Sequence, residues 1–182
     1  MNKQEEKRLS KFLSLILRHR PEVIDIQLDE QGWAKVEELL PKMQAKGSAI
    51  DLEKLQYIVA HNPKKRFTFN ADQSLIRANQ GHSLSIDLAL EERVPPKILY
   101  HGTAQHFITS ILKTGLDKRK RHHVHLSAQH ATAVEVGKRH GEVIVLKIQA
   151  EEMHQAGHKF YRSDNGVWLT DHVPTVYIEA SE

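Results

Sequence analysis

The sequence predicts an α+β protein of two lobes, helix-rich in its first half and strand-rich in its second. Three observations predict this. Apolar residues recur at helical spacing in three successive segments between Lys7 and Val59. A charged and then proline-stiffened stretch, Leu90–Lys97, interrupts the chain near its middle. Beyond it, short apolar runs outnumber helical patterns, which is an α+β design rather than a bundle. A boundary in the interrupting stretch gives lobes 1–93 and 94–182, each long enough to bury a core.

In the first lobe, Leu9, Phe12, Leu13, Ile16 and Leu17 fall three and four residues apart, so a helix is expected over Lys7–Leu17, stopped by Pro21. Arg18, His19 and Arg20 then stand at its C-terminal end, where exposed carbonyls favour cations. Ile24, Ile26 and Leu28 alternate as a short strand before a turn at Gln31 and Gly32. Val36 to Met43 reads as a second helix. Asp51 is a candidate N-cap for a third, with Leu52, Leu55, Ile58 and Val59 on its apolar face. Phe67 and Phe69, a polar turn from Asn70 to Ser74, then Leu75, Ile76 and Ala78 make a two-stranded hairpin. Three helices followed by such a hairpin is the outline of a winged helix, a fold whose third helix and wing commonly face nucleic acid.

In the second lobe Ile98, Leu99 and Tyr100 form a strand with His101, Gly102 and Thr103 at its end. A helix over Ala104–Lys113 closes at Gly115, and a basic loop leads into a strand at Val124–Leu126. A helix through Ala131, Val134 and Val136 precedes an apolar strand, Glu142–Ile148. Gly157–Arg162, Gly166–Thr170 and Thr175–Ile178 are further short strand candidates.

Composition narrows the function classes. At 40% apolar and 27% charged the chain reads as a soluble globular protein. With no cysteine it has neither disulfides nor thiolate metal sites, as suits a reducing cytosol. The charged N-terminus lacks the apolar core of a signal peptide and no run is long enough to span a membrane, so a cytoplasmic protein is expected. No long exposed apolar stripe asks for a partner subunit, so a monomer is expected.

The net charge of +3 says little, but its clustering says more. Arg18–Arg20, Lys64–Arg66 and Lys118–Arg121 are three basic nodes separated by ordinary sequence. Any one of them is most simply solvated surface; together they suit a phosphate or polyanion. The last node runs into His122, His123 and His125, of which His123 and His125 share a strand face opposite Val124 and Leu126. Clustered histidines also suggest zinc, but four adjacent cations repel a divalent ion and no cysteine is at hand, so no metal is expected. A second alternative is a metal-free cyclic phosphodiesterase, because His101-Gly102-Thr103-Ala104 and His125-Leu126-Ser127-Ala128 fit a loose two-histidine pattern for acid–base work on a cyclic phosphate. A third is a winged-helix RNA-binding protein without catalysis.

Six blocks occur in order along the chain: Leu17-Arg18-His19 with Pro21; Lys65-Arg66-Phe67; Gln80-Gly81-His82-Ser83; Tyr100-His101-Gly102-Thr103; Arg121 to Leu126; and Asn165 to Thr170. In order and spacing they resemble the NAD-dependent RNA 2′-phosphotransferases. The resemblance implies a winged-helix RNA lobe followed by an NAD-binding lobe of ADP-ribosyltransferase fold. It implies that an internal RNA 2′-phosphate, as at a tRNA splice junction, attacks C1″ of the nicotinamide ribose of NAD⁺ and expels nicotinamide. The ribose 2″-OH of the resulting RNA-2′-phospho-ADP-ribose then attacks the phosphorus, leaving an RNA 2′-OH and ADP-ribose 1″,2″-cyclic phosphate.

By the same resemblance Arg18, Arg66 and Arg121 match the arginines that clamp the phosphate, and His19 matches the histidine that donates to it or moves a proton. His101, Gly102 and Thr103 would hold the cofactor, Gly102 reading the carboxamide through its backbone and His101 touching the adenosine ribose. His125 would lie beside the nicotinamide, followed by Ser127. Val167, or Gly166 in the alternative alignment, occupies the position where many ADP-ribosyltransferases carry glutamate. A phosphate dianion is already a nucleophile and would be repelled by a carboxylate there. Lys64, Lys65 and Arg119 are left to contact RNA phosphates, with Arg119 and Arg121 on one side of the loop if it is extended.

Overall fold

The structure is a computed structural model that describes residues Met1–Ser181. It combines helices and sheets in two compact units, one of Met1–Ala89 and one beginning at Leu90. Among the described residues no helix is long and apolar enough to cross a membrane.

The first unit opens with helix α1, Lys3–Arg18, capped by the Asn2 side chain, which accepts from the Glu5 N–H at 2.8 Å. Its buried stripe is Leu9, Leu13, Ile16 and Leu17, and each such side chain removed from water contributes roughly 2 kcal/mol. A 3₁₀ turn, Pro21–Ile24, follows. Next come the two-residue strand β1, Ala34–Lys35, then α2, Val36–Ala45, and α3, Leu52–His61. Asp51 caps α3 as expected, its carboxylate accepting from the Lys54 N–H at 2.8 Å. Strands β2, Phe67–Phe69, and β3, Leu75–Ala78, form the expected hairpin with Phe67 opposite Ala78.

Three expectations for this unit fail. The hairpin is joined by β1, so the sheet is three-stranded and antiparallel in the order β1-β3-β2. Ile24, Ile26 and Leu28 form no strand, because Pro21 starts the 3₁₀ turn and Asp25 ends it with a left-handed φ of 54°. Ile24 and Ile26 still reach the core, packed with α1. On α3, Leu55 and Ile58 are buried, but Leu52 lies 45% exposed in the first turn, off the buried face.

The second unit is built on strand β4, Ile98–Ala104, paired antiparallel along its whole length with β7, Val143–Gln149. On the far side of β7 lies β11, Ile178–Ser181. A second sheet runs β6-β9-β8, with β6 at Val124–Leu126, β8 at Tyr161–Arg162 and β9 at Trp168–Thr170. A bridge between Tyr100 and Ser127 ties the two sheets together, with both backbone hydrogen bonds at 2.8 Å. Short β5, Leu116–Asp117, pairs with β10, His172–Val173. Helices α4, Ile108–Thr114, α5, His130–Gly137, and α6, Ala150–Gln155, complete the unit around a core that includes Leu99, Leu146, Ile148, Phe160 and Trp168.

Here too some expectations change. The helix expected from Ala104 begins as a 3₁₀ turn, Gln105–Phe107, before α4. Thr175–Tyr177 is a 3₁₀ turn that only leads into β11. His101, Gly102 and Thr103 do not end a strand; they lie inside β4, opposite Leu146, Val145 and Ile144. The reason for the glycine changes accordingly. A Cβ on Gly102 would stand 1.7 Å from the Ala133 carbonyl oxygen, so its absence lets the α5 backbone lie directly on the sheet.

Candidate active site

In the first unit α1 ends where the chain needs cations. Arg18 is its last residue and His19 its C-cap. The half-buried Arg18 reaches across the start of β2, its Nη2 donating to the Arg66 carbonyl at 3.5 Å and its guanidinium carbon 6.0 Å from the Phe67 ring. Arg66 donates from Nη1 to the buried Ser10 Oγ at 3.4 Å, a hydroxyl that also accepts from Asn62 Nδ2 at 3.1 Å. Both of these contacts end on neutral oxygens, beside the last turn of α1 and the start of β2. A phosphate there could be gripped through paired, charge-assisted bonds.

His19 is exposed, and its Nδ1 lies 3.0 Å from Ser83 Oγ. The Ser83 N–H also donates to the Arg18 carbonyl at 2.9 Å, so the 81–83 segment grips the end of α1 twice. Nothing in the spacing of Ser83 pointed to this role, because the contact joins residues 64 apart. Lys64 and Lys65 are exposed in the tight turn after α3, where Asn62 accepts from both of their backbone N–H groups.

In the second unit three side chains are linked. His101 is half-buried and donates from Nδ1 to the His125 carbonyl at 3.0 Å. Loss of water around its ring holds its pKa below the ordinary 6.5, so Nε2 presents a lone pair. Arg121 places Nη1 3.1 Å from His125 Nδ1. A guanidinium can only donate, so His125 accepts with Nδ1 and carries its proton on Nε2.

The edge of β4 is open beside them. Tyr100 turns its N–H and C=O away from β7 to pair with Ser127. Antiparallel alternation sends the N–H and C=O of Gly102 to the same side. Among the described residues β4 pairs on that side only through the Tyr100–Ser127 bridge. A donor and an acceptor on one buried backbone unit are therefore available to a planar amide. Buried Thr103 faces Ile144 in the ladder, and the half-buried Ser127 exchanges hydrogen bonds with the Gln129 backbone at 3.0 and 3.1 Å.

The basic loop is not extended. Arg119 has a left-handed φ of 52° and Arg121 N–H donates to the Lys118 carbonyl at 3.0 Å, so the chain turns between them. Arg119 consequently lies over the Phe107 ring, 5.2 Å from its centre, while Arg121 goes to His125. His123 packs against Tyr161 with ring centres 5.5 Å apart, and its partial burial also lowers its pKa. Val167 is half-buried at the end of a turn in which Ser163 exchanges backbone and Oγ contacts with it at 3.0 to 3.2 Å. Gly166 supplies the left-handed φ of 81° that this turn requires. Continuing the β6–β9 register by one residue from the Leu126–Trp168 pair puts Val167 level with Ser127. Among the described residues no three histidine or acidic side chains are grouped as metal ligands.

Comparison with known proteins bears on both units. The sequence model of the RNA 2′-phosphotransferase, Tpt1 / KptA family matches residues 4–172. A probable RNA 2′-phosphotransferase of Flavobacterium johnsoniae is 52% identical, covering 98% of each chain. One of Fusobacterium nucleatum is 51% identical over 94% of this chain and 97% of its own. One of Pseudomonas aeruginosa is 50% identical over 93% of both. The family match runs through both units, and the chain belongs to the RNA 2′-phosphotransferase, Tpt1 / KptA family.

Proposed function

We propose that this enzyme removes an internal RNA 2′-phosphate, as at a tRNA splice junction, by transferring it to NAD⁺. The first unit is read as a winged-helix RNA lobe and the second as an NAD-binding lobe of ADP-ribosyltransferase fold. The observation that carries the reading is the second unit's linked set. The open edge of β4 at Gly102 and the Nε2 lone pair of His101 suit a carboxamide and a ribose, and His125, whose carbonyl accepts from His101, takes a hydrogen bond from Arg121. That bond supports reading Arg121 as an anion-binding guanidinium beside a cofactor edge.

In this reading Gly102 holds the carboxamide with its N–H and C=O, His101 accepts a ribose hydroxyl at Nε2, and His125 lies by the nicotinamide. Thr103, Ser127 and Val167 shape the same edge. Arg18 and Arg66, with Arg121, neutralise the phosphate oxygens. In the first step a phosphate oxygen bonds to C1″ as the C1″–N bond breaks, and nicotinamide leaves with the electron pair. In the second the 2″-oxygen bonds to phosphorus as the bond to the RNA 2′-oxygen breaks, and the proton of the 2″-OH passes to that leaving oxygen. His19, held by Ser83, is read as the group that donates to the phosphate or carries this proton. Val167 in place of a carboxylate avoids repelling the phosphate, and Lys64, Lys65 and Arg119 are left to RNA. No step calls for a metal.

Incubation with a 2′-phosphorylated RNA, with and without NAD⁺, tests the reading. Phosphate loss only with NAD⁺ supports it; opening of a cyclic phosphate without NAD⁺ would assign the two histidine tetrads instead, and binding without turnover would leave an RNA-binding protein.

A further inference from the structure

The outward face of α3 carries two aromatic rings that the reaction does not use. Leu55 and Ile58 face the core, and Tyr57 and His61 stand one turn apart on the exposed side. Their rings stack with centres 4.1 Å apart and planes 15° from parallel. His61 Nδ1 lies 3.1 Å from the Tyr57 carbonyl, to which it donates, so its ring is held in place by the helix itself. Tyr57 is 41% exposed, a large apolar surface left in water.

What lies next to this stack identifies its partner. Charge rises along α3, from Asp51 and Glu53 at its start to His61 at its end, and then to Lys64, Lys65 and Arg66. The turn after the helix is tight, with Lys65 N–H donating to the Asn62 carbonyl at 2.8 Å. Asn62, the residue after His61, shares the Ser10 hydroxyl with Arg66. The C-terminal end of α3 is thus bonded through one oxygen to a guanidinium assigned to the substrate phosphate. A flat ring pair, two exposed lysines and that guanidinium in succession match the alternation of bases and phosphates along single-stranded RNA.

We propose that the Tyr57–His61 pair is a stacking platform for an unpaired base of the substrate RNA near its 2′-phosphate, with Lys64 and Lys65 on the intervening backbone. This rests on the reading of Arg66 as a phosphate contact. The platform contributes affinity for RNA flanking the reactive phosphate and takes no part in bond making. Because a π face is common to all bases, it selects for an unpaired strand rather than for a sequence.

The test is equilibrium binding, without NAD⁺, of a short single-stranded RNA carrying an internal 2′-phosphate and a fluorescent adenine analogue beside it. The full chain is compared with Tyr57→Ala, Tyr57→Phe and Arg66→Ala. Tyr57→Ala should bind about tenfold more weakly and lose the quenching of the analogue that wild type shows, whereas Tyr57→Phe should keep both. Unchanged binding and quenching in Tyr57→Ala would overturn the platform, as would equal losses in the Ala and Phe variants. Unchanged binding in Arg66→Ala overturns the phosphate assignment alone. Failure of wild type to bind this RNA overturns both.

Discussion

Arg121 donates from Nη1 to Nδ1 of His125 across 3.1 Å, joining a residue assigned to the RNA phosphate to one assigned to the nicotinamide. The sequence blocks match Arg121, but the loop composition does not separate it from Arg119, two residues earlier. The left-handed turn at Arg119 does so, by sending that side chain to Phe107. Arg121→Ala should therefore stall the second step, where the attack of the 2″-oxygen builds negative charge on the phosphoryl oxygens, and RNA-2′-phospho-ADP-ribose should accumulate on a gel. Arg119→Ala should turn over within a few-fold of wild type, an effect of surface charge. Normal turnover by Arg121→Ala would remove it from the phosphate site.

Ser83 is expected to act through His19. Substituting alanine keeps the backbone bond from Ser83 to the Arg18 carbonyl but removes the hydroxyl from His19 Nδ1. A single hydrogen bond of this kind is worth about 1 kcal/mol, so kcat should fall on the order of fivefold with the KM for RNA little changed. Ser83→Thr should restore kcat. A change in KM alone, or no rescue by threonine, would mean that Ser83 only packs.

Gly102→Ala should unfold the second unit readily. The added methyl meets the Ala133 carbonyl at 1.7 Å, and a backbone atom in a helix cannot swing aside as a flexible side chain can. Overpacking of this severity costs about 3 kcal/mol, which for a unit of this size lowers the melting temperature on the order of 10 °C. Calorimetry or circular dichroism reads the shift directly.

Stability should fall on acidification in a way that His101 partly controls. Burial places its folded-state pKa below the unfolded value of 6.5, so the unfolded chain binds the proton first. Its contribution is complete above about pH 6.5 and is lost as the pH falls towards and through the folded-state value. His123 acts in the same direction. Melting temperatures measured between about pH 7.5 and pH 5 should decline, and His101→Asn should flatten the decline. An unchanged slope would mean that the ring is not shielded from water.

The parts of this protein that were legible in its sequence are those fixed locally. Asp51 caps α3, and Val124–Leu126 is a strand, because a cap and a two-residue alternation are written in neighbouring residues. Ile24 and Ile26 alternate just as cleanly, yet a left-handed Asp25 turns them into core residues without a strand. β1 is two residues long and exists only because β3 pairs with it. Gly102 was legible as special, but its reason is α5, which the chain reaches some thirty residues later. Ser83 at His19, and the separation of Arg119 from Arg121, depend on contacts that no local pattern encodes.

The proposed route takes the phosphate off RNA on NAD⁺. It is tested most directly by following a radiolabel placed on the RNA 2′-phosphate through a complete reaction. With NAD⁺ the label should pass through RNA-2′-phospho-ADP-ribose and appear in ADP-ribose 1″,2″-cyclic phosphate, leaving an RNA 2′-OH. Label released as inorganic phosphate, or released equally well without NAD⁺, would contradict it.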